Sequence, residues 1–150
     1  MKTTTQDSPI SVLIVEDETI IAMETEIELQ SRGFNVVGTV PSSENAVNAA
    51  TTHRPDVILM DIHIQGSKDG IESSQEIYNT YKPIIIFISA YNDDETREKI
   101  GKVQPNYFLP KPILYDELMS LIQESVSDQR LSSNVDLKTM GAARRRSKSP

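Results

Sequence analysis

Three uninterrupted apolar segments constrain the fold of this 150-residue chain more than any other feature of its sequence. They are Val12–Val15, Val57–Met60 and Ile84–Ile88. Continuous apolar runs are typical of strands buried on both faces of a parallel sheet, whereas strands with one wet face alternate apolar and polar residues. Asn35–Val40 and Asn106–Leu109 are weaker strand candidates. The pattern therefore predicts five strands.

The segments between these strands have helical apolar spacing and helix-capping residues. The predicted helices are Thr19–Arg32, a segment capped by Ser42 or Ser43 and running through Ala50, Ile71–Tyr81, a segment capped by Asp93 or Asp94 and running through Val103, and Leu114 to about Ser127. Alternating strands and helices predict a doubly wound α/β domain with right-handed crossovers. The expected fold is a flavodoxin-like (βα)5 unit with strand order 2-1-3-4-5.

The two ends of the chain differ in composition from its centre. We expect a flexible arm over residues 1–9, one domain over 10–127 and a disordered basic tail over 128–150. The tail contains Arg144–Arg146, although the whole chain has a net charge of −7. A solvated tail is the simplest interpretation; contact with an anionic partner or membrane, a linker, or sequence foreign to the native protein are the alternatives.

The charge, the absence of cysteine and the lengths of the apolar runs exclude several classes of protein. An acidic body is a poor electrostatic match for nucleic acid. Without cysteine there is no disulfide framework, thiolate metal site or cysteine nucleophile. No apolar run approaches the roughly 20 residues of a membrane helix, so we expect no membrane insertion and a cytoplasmic protein. Neither a P-loop nor a dinucleotide-binding glycine turn is present.

Polar residues follow four of the five predicted strands. Glu16 and Asp17 follow the first, Asp61 the third, Ser89 the fourth and Lys111 the fifth. Ligands of open α/β sheets bind at the carboxyl ends of the strands, and strands one and three meet at the switch point of this order. The three carboxylates should therefore share one crevice. The pair Glu16–Asp17 alone is equally compatible with an N-terminal cap of the first helix.

Three neighbouring carboxylates repel one another, so either raised pKa values or a cation must offset the repulsion. Oxygen ligands without histidine or cysteine favour a hard ion such as Mg²⁺. Lys111 adds a mobile positive charge and Ser89 a hydroxyl, and both suit a phosphoryl group. An aspartate can itself form an acyl phosphate. These residues together indicate phosphoryl transfer to an aspartate.

At these positions the chain resembles the receiver domain of two-component response regulators, the CheY-like family. The resemblance extends from about Ile10 to Ser127. It rests on the sequences Leu13–Glu18, Val57–Ile62, Asp69–Glu72, Ile88–Ala90 and Lys111–Pro112, in that order and on the expected elements.

The resemblance implies a role for each residue. Asp61 would accept a phosphoryl group from a sensor histidine kinase or phosphotransfer protein. Asp17, Asp61 and the backbone carbonyl of His63 would ligate Mg²⁺, with Glu16 acting largely through water. Lys111 and Ser89 would contact the phosphoryl group. The switch residues would be Ser89 and Phe108, and the Lys111–Pro112 peptide would be cis.

Further implications concern tuning and partners. His63 and Tyr91 occupy variable positions beside the site and would tune the lifetime of the phosphoryl group. Phosphorylation would change the surface of helix four, strand five and helix five, which would signal to an unknown downstream protein or form a homodimer. The loop from Asp61 to Gly70 is one residue longer than the commonest form, and Gln65, Pro110 and Ile113 depart from the frequent residues.

Two other functions stay open at this point. A Mg²⁺-dependent phosphohydrolase of the haloacid dehalogenase type would also use an aspartyl nucleophile, but in an Asp-x-Asp motif on the first strand. A receiver-like module that no longer uses phosphate is the second. We expect a signalling switch rather than an enzyme, and no DNA-binding output, because about two dozen residues follow helix five.

Overall fold

The computed structural model describes residues 8–90, 94–101 and 107–139. Strands and helices alternate along the chain without exception in the described residues. The elements are β1 (Ser11–Val15), α1 (Thr19–Ser31), β2 (Asn35–Val40), α2 (Ser43–His53), β3 (Val57–Asp61), α3 (Gly70–Tyr78), β4 (Ile84–Ser89), α4 (Asp94–Gly101), β5 (Tyr107–Pro110) and α5 (Tyr115–Thr139).

All strands pair in parallel, in the order β2-β1-β3-β4-β5. The predicted fold class and strand order are thereby confirmed. In the centre of the sheet Val12 pairs with Val57 and Val15 with Met60. The register of β1 and β3 aligns their carboxyl ends at one edge of the sheet. These two strands are also the ones between which the strand order reverses direction.

The continuous apolar runs are explained by two cores, one on each face of the sheet. Alternate residues of one strand point to opposite faces. Ile58 and Met60 belong to the core beneath α2 and α3, whereas Val57 and Leu59 belong to the core that includes Leu118 of α5. A strand covered by helices on both sides has no position for a polar residue until it ends.

Two helices on the first of these faces begin with side-chain caps. The Ser42 hydroxyl accepts a hydrogen bond from the Asn45 N–H at 3.3 Å. Asp69 and Glu72 form a reciprocal capping box at the start of α3, which satisfies two N–H groups that a helix start leaves unpaired. By contrast, α1 has Glu18 at its N-cap with no side-chain cap bond. The interpretation of the preceding acids as a cap is therefore wrong.

Helix α5 continues well past its expected end near Ser127. It runs without interruption to Thr139, so the prediction of a disordered segment does not hold for residues 128–139. The physical reason is that no glycine or proline occurs between Ile113 and Gly141, and nothing in the sequence stops the helix. Gln129 within this extension donates to the Lys82 carbonyl at 3.2 Å. Residues 140–150, with the arginine run, lie outside the described residues.

The other boundaries differ from the predictions by a few residues. Helix α3 ends at Tyr78 rather than Tyr81, a few residues before Pro83, which disfavours the helical conformation at Lys82. The expected end of α4 at Val103 and the tuning residue Tyr91 lie outside the described residues. No helix in the described part of the chain is both long enough and apolar enough to cross a membrane.

The double burial of the sheet leads to a stability prediction. Ile86, in the middle of β4, is fully buried, and replacing such an isoleucine with alanine typically costs about 2–5 kcal/mol of unfolding free energy. We expect a loss in that range for Ile86→Ala in urea unfolding. The matched control is Ile20→Ala, at a position 81% exposed, which should stay within about 0.5 kcal/mol of wild type. Equal losses would contradict the assigned burial.

Candidate functional site

The site lies at the carboxyl edge of the sheet, across the ends of β1, β3, β4 and β5. Glu16 and Asp17 follow β1, and Asp61 is the last residue of β3. Ser89 closes β4, and Lys111 follows β5 directly. Parallel strands necessarily bring their carboxyl ends to one edge, so residues from four separate parts of the sequence meet at this edge.

Three carboxylates converge at the centre of this edge. One oxygen each from Glu16, Asp17 and Asp61 lies within 4.8 Å of the others. Glu16 and Asp61 are buried, with 6% and 5% of their surface exposed, while Asp17 is half-buried. Such a group of buried like charges is unfavourable without compensation.

Lys111 supplies that compensation within the described residues. Its Nζ lies 3.0 Å from Asp61 Oδ2 and 3.1 Å from Glu16 Oε1. A third acid, Glu18, approaches the same Nζ at 3.5 Å but is largely exposed. The lysine side chain is 13% exposed, so water screens these pairs only weakly. The ammonium group thus bridges the ends of three strands.

The burial and the charges shift two pKa values in this cluster. Desolvation by burial, reinforced by the neighbouring Asp61 carboxylate, raises the pKa of Glu16 above its usual value. Burial alone would lower the pKa of Lys111, but its hydrogen bonds to Asp61 and Glu16 raise it overall. The lysine therefore remains charged at neutral pH.

The backbone fixes the orientation of two carboxylates. The His63 N–H donates to Asp61 Oδ1 at 3.0 Å, which leaves Oδ2 facing the lysine. The Glu18 N–H donates to Glu16 Oε2 at 3.1 Å. Both bonds connect a residue with the one two positions earlier, at the points where the chain turns away from the sheet. The local turns therefore aim the acids into the crevice.

The remaining predicted residues lie around this cluster. Ser89 is fully buried at the end of β4. Phe108 in β5 is half-buried and packs against the core on the α2 and α3 face. The peptide bond between Lys111 and Pro112 is cis. The His63 side chain is exposed, and its backbone N–H contacts Asp61.

The donors of the cluster suit a hard divalent cation. All three side-chain groups that could bind a metal are carboxylates, and oxygen ligands favour Mg²⁺ or Ca²⁺ over softer metals. The group also includes a half-buried member, Asp17, which lets water complete the coordination shell that Mg²⁺ retains. The residues present therefore fit a magnesium ion.

Sequence reasoning did not identify Glu18 as part of this site. The only signal available was its place as the third acid in the run Glu16–Glu18. Nothing in that run shows that its side chain turns toward a lysine 93 positions later. That contact depends on how the loop before α1 is folded.

The sequence and the fold of this chain are similar to those of known receiver proteins. The family model for the response regulator receiver domain matches residues 12–123. Since the match covers most of the chain, the protein belongs to the response regulator receiver family, whose members are signalling switches.

Two curated relatives illustrate the similarity. The transcriptional regulatory protein PdtaR of Mycobacterium tuberculosis is 31% identical over 119 residues, which cover 79% of this chain and 58% of PdtaR. The phyllosphere-induced regulator PhyR of Methylorubrum extorquens is 29% identical over 126 residues, which cover 83% of this chain and 46% of PhyR. The chain thus spans about half the length of these relatives.

A solved structure shows the same fold. The signal receiver domain of a modulated diguanylate cyclase from Desulfovibrio desulfuricans superposes with a TM-score of 0.78 at 35% identity. The alignment covers 83% of this chain and 98% of that one.

The central role of Lys111 leads to a second stability prediction. Removing one partner of a buried ion pair typically costs about 3–5 kcal/mol, and the remaining exposure of Lys111 places Lys111→Met near the lower end. We expect this loss of unfolding free energy in metal-free buffer at pH 7. The loss should shrink as the pH falls below neutral, because burial and the neighbouring Asp61 raise the pKa of Glu16, and its protonation removes one of the charges that Lys111 compensates.

The matched control is Lys68→Met, which removes an exposed ion pair with Glu76. Water screens that pair, so the control should change stability much less than Lys111→Met. A loss in Lys111→Met no larger than in the control would show that Lys111 does not compensate the carboxylates.

Proposed function

We propose that this protein is a phosphorylation-controlled switch in which Asp61 accepts a phosphoryl group from the phosphohistidine of a sensor histidine kinase or phosphotransfer protein. The convergence of Glu16, Asp17 and Asp61 with Lys111 in a receiver-family chain is the observation that supports this role. The chemistry proposed is limited to phosphorylation and dephosphorylation of its own aspartate.

In the proposed transfer, the Asp61 carboxylate attacks phosphorus, the P–N bond to histidine breaks, and an acyl phosphate forms. Asp17, Asp61 and the His63 carbonyl would hold Mg²⁺, with Glu16 acting largely through water. When bound, this ion supplies positive charge to the transferring phosphoryl oxygens. Lys111, already 3.0 Å from Asp61 Oδ2, neutralises a further part of that charge.

The switch proposed here involves Ser89 and Phe108. Ser89 lies at the end of β4 next to the Asp61 strand, so its hydroxyl can turn toward a phosphoryl group. Phe108 is half-buried and pairs with Phe87 across β4 and β5, so an inward rotation would change the surface of α4, β5 and α5. Such coupling is a two-state element biased by phosphorylation.

Tuning of the phosphoryl lifetime is proposed for His63 and Tyr91. The exposed His63 side chain follows Asp61 by two positions, where it can influence the approach of water. Tyr91 lies outside the described residues, and its role rests on its position two residues after Ser89.

The two alternative functions are less well supported. A haloacid dehalogenase-type phosphatase needs its nucleophile on the first strand, but Asp61 ends β3, and the chain belongs to a different family. A module independent of phosphate has no need for a lysine beside a buried aspartate.

The first functional test is phosphorylation by acetyl phosphate with Mg²⁺, followed by intact mass. We expect wild type to gain one phosphoryl group and Asp61→Asn to gain none. The matched control is Asp56→Asn, which removes an acid at the opposite end of β3 and should keep the gain. Omitting Mg²⁺ should abolish it in all variants.

The outcomes separate the alternatives. Phosphorylation of Asp61→Asn would mean that another residue is the acceptor. No gain in wild type, even with phosphorylated kinases as donors, would favour a module independent of phosphate. Sustained release of phosphate from ester substrates would favour a phosphohydrolase.

An exposed apolar face beside the site suggests where the phosphodonor binds. Ile20, Met23 and Ile27 are 81%, 57% and 62% exposed, and their spacing places them on one face of α1. Leu114, also more than half exposed, precedes α5 at the same edge of the sheet. Exposed apolar groups of this kind mark protein contacts. We therefore assign this face, Ile20–Met23–Ile27 with Leu114, to the phosphodonor protein.

This assignment predicts a selective defect. Double substitution Ile20→Ser with Met23→Ser should slow transfer from an autophosphorylated donor kinase of the source organism by roughly tenfold or more, by analogy with interface hot spots. Acetyl phosphate does not use the face, so phosphorylation by this small donor should be unchanged. The control Leu131→Ser alters a leucine that is 62% exposed and lies farther along α5. Equal rates with the kinase would overturn the assignment.

We propose that a downstream partner recognises the surface of α4, β5 and α5. Alternatively, a second copy of the chain binds to this surface and forms a homodimer. No DNA-binding domain is evident in the described residues. The relatives PdtaR and PhyR extend well beyond the matched region. The downstream function of the present protein is therefore proposed separately from the functions of these relatives. We further propose that it acts in the cytoplasm.

A further inference from the structure

The loop between β3 and α3 is held against the start of α2 by a set of contacts that the proposed phosphoryl transfer does not use. This loop, residues 62–69, follows the phosphoacceptor directly. It carries the backbone carbonyl of His63 that the proposed function assigns to Mg²⁺. The position of the loop therefore bears on the metal site.

The contacts join three successive residues of α2 and its cap to the loop. The Ser43 N–H donates to the Gln65 carbonyl at 2.9 Å, next to a bridge between Ser42 and Gln65. The Glu44 carboxylate accepts two hydrogen bonds from Ser67, one from its N–H at 3.0 Å and one from its hydroxyl at 2.6 Å.

The fit leaves no room for a side chain at the centre of the loop. Gly66 has φ of 114°, which L-residues rarely adopt. A Cβ atom at this position would overlap the Ser43 hydroxyl and the Glu44 carboxylate. The close approach of loop and helix is therefore built into the sequence rather than a chance contact of long side chains.

The segment that carries His63 is fixed at both ends. On one side, the buried Ile62 donates to Ile88 at 3.1 Å and accepts from the Gly70 N–H at 2.8 Å. On the other side, Gln65 and Ser67 are held by α2. Between these anchors the His63 N–H donates to Asp61 Oδ1 at 3.0 Å. Weakening either anchor therefore loosens the segment that carries the His63 carbonyl.

We infer that Glu44 is a positioning residue for the magnesium site: its two hydrogen bonds to Ser67 hold the β3–α3 loop so that the His63 carbonyl faces the carboxylates. This inference rests on the proposed function, since it presupposes Mg²⁺ at Glu16, Asp17 and Asp61. Residues that orient metal ligands commonly alter metal affinity when they are changed. Glu44 acts through the loop and touches neither metal nor phosphate.

The ionisation of Glu44 agrees with this role. Its hydrogen bonds, first that from the Ser67 side chain and then that from the Ser67 backbone, lower the pKa of Glu44 to about 2. The carboxylate therefore remains an acceptor throughout the neutral range, and the anchor does not depend on ordinary changes of pH.

The test is Mg²⁺ binding by isothermal titration calorimetry to the full chain, without phosphodonor. We expect Glu44→Ala to weaken Mg²⁺ affinity by roughly tenfold, and Ser67→Ala, which keeps the backbone bond, by roughly threefold. Ser67→Thr retains the hydroxyl and should bind as wild type does. Hydrogen exchange should show faster exchange of the loop amides in both alanine variants.

Two controls separate positioning from other effects. Ser67→Ala changes no charge, so its defect cannot arise from weaker long-range attraction of the cation. Glu28→Gln removes an ion pair with Arg32 on α1 and should leave the affinity unchanged. Thermal unfolding of each variant checks that it is folded, and both alanine changes lie at exposed positions.

The outcomes are distinct. Wild-type affinity in both Glu44→Ala and Ser67→Ala overturns the inference but leaves the metal site intact. A defect in Glu44→Ala alone also overturns it, because charge rather than the hydrogen bonds would then be responsible. Absence of Mg²⁺ binding by wild type would overturn the proposed metal site and this inference together.

Discussion

The ion pairs of Lys111 are the interaction on which the arrangement of this site depends. The lysine follows the edge strand β5, yet its Nζ meets acids at the ends of the two strands β1 and β3. Two like charges a few ångströms apart in a poorly hydrated place repel strongly. A single ammonium group within 3.1 Å of both buried carboxylates allows them to remain close together.

The same ion pairs relate the stability of the protein to the chemistry proposed for it. Carboxylates that lie close together with little hydration repel one another, which destabilises the protein when no ligand is bound. The same arrangement attracts a cation and favours the binding of a phosphoryl group. The sheet imposes the crowding, since parallel strands end at one edge. The lysine then makes the arrangement tolerable before any ligand arrives. Structure and proposed function therefore depend on the same few atoms.

Much of this could be predicted from the sequence, and the reasons are specific. The runs around Ile58 and Ile86 are apolar without interruption because both faces of the sheet are covered, and that fact fixes a parallel sheet. The polar residues that end those runs, Asp61 and Ser89 among them, then identify one edge. Local pattern and global fold agree at these positions, so the prediction of the site followed directly.

The features that sequence reasoning missed depend on contacts between distant segments. Glu44 and Ser67 are 23 positions apart, and neither stands in an informative pattern. The end of α5 was placed too early because the regular spacing of apolar residues stops after Val126. However, no glycine or proline follows until Gly141. A helix can continue on propensity alone where burial no longer marks it.

The length of α5 has a mechanical consequence. The helix begins at Tyr115, four positions after Lys111, and continues for 25 residues, which corresponds to about 37 Å at 1.5 Å per residue. A rod of that length acts as a lever: a tilt of about 5° at its start moves its far end by about 3 Å. Motions at the lysine too small to repack the core would thus be enlarged at Thr139, at the far end of the helix.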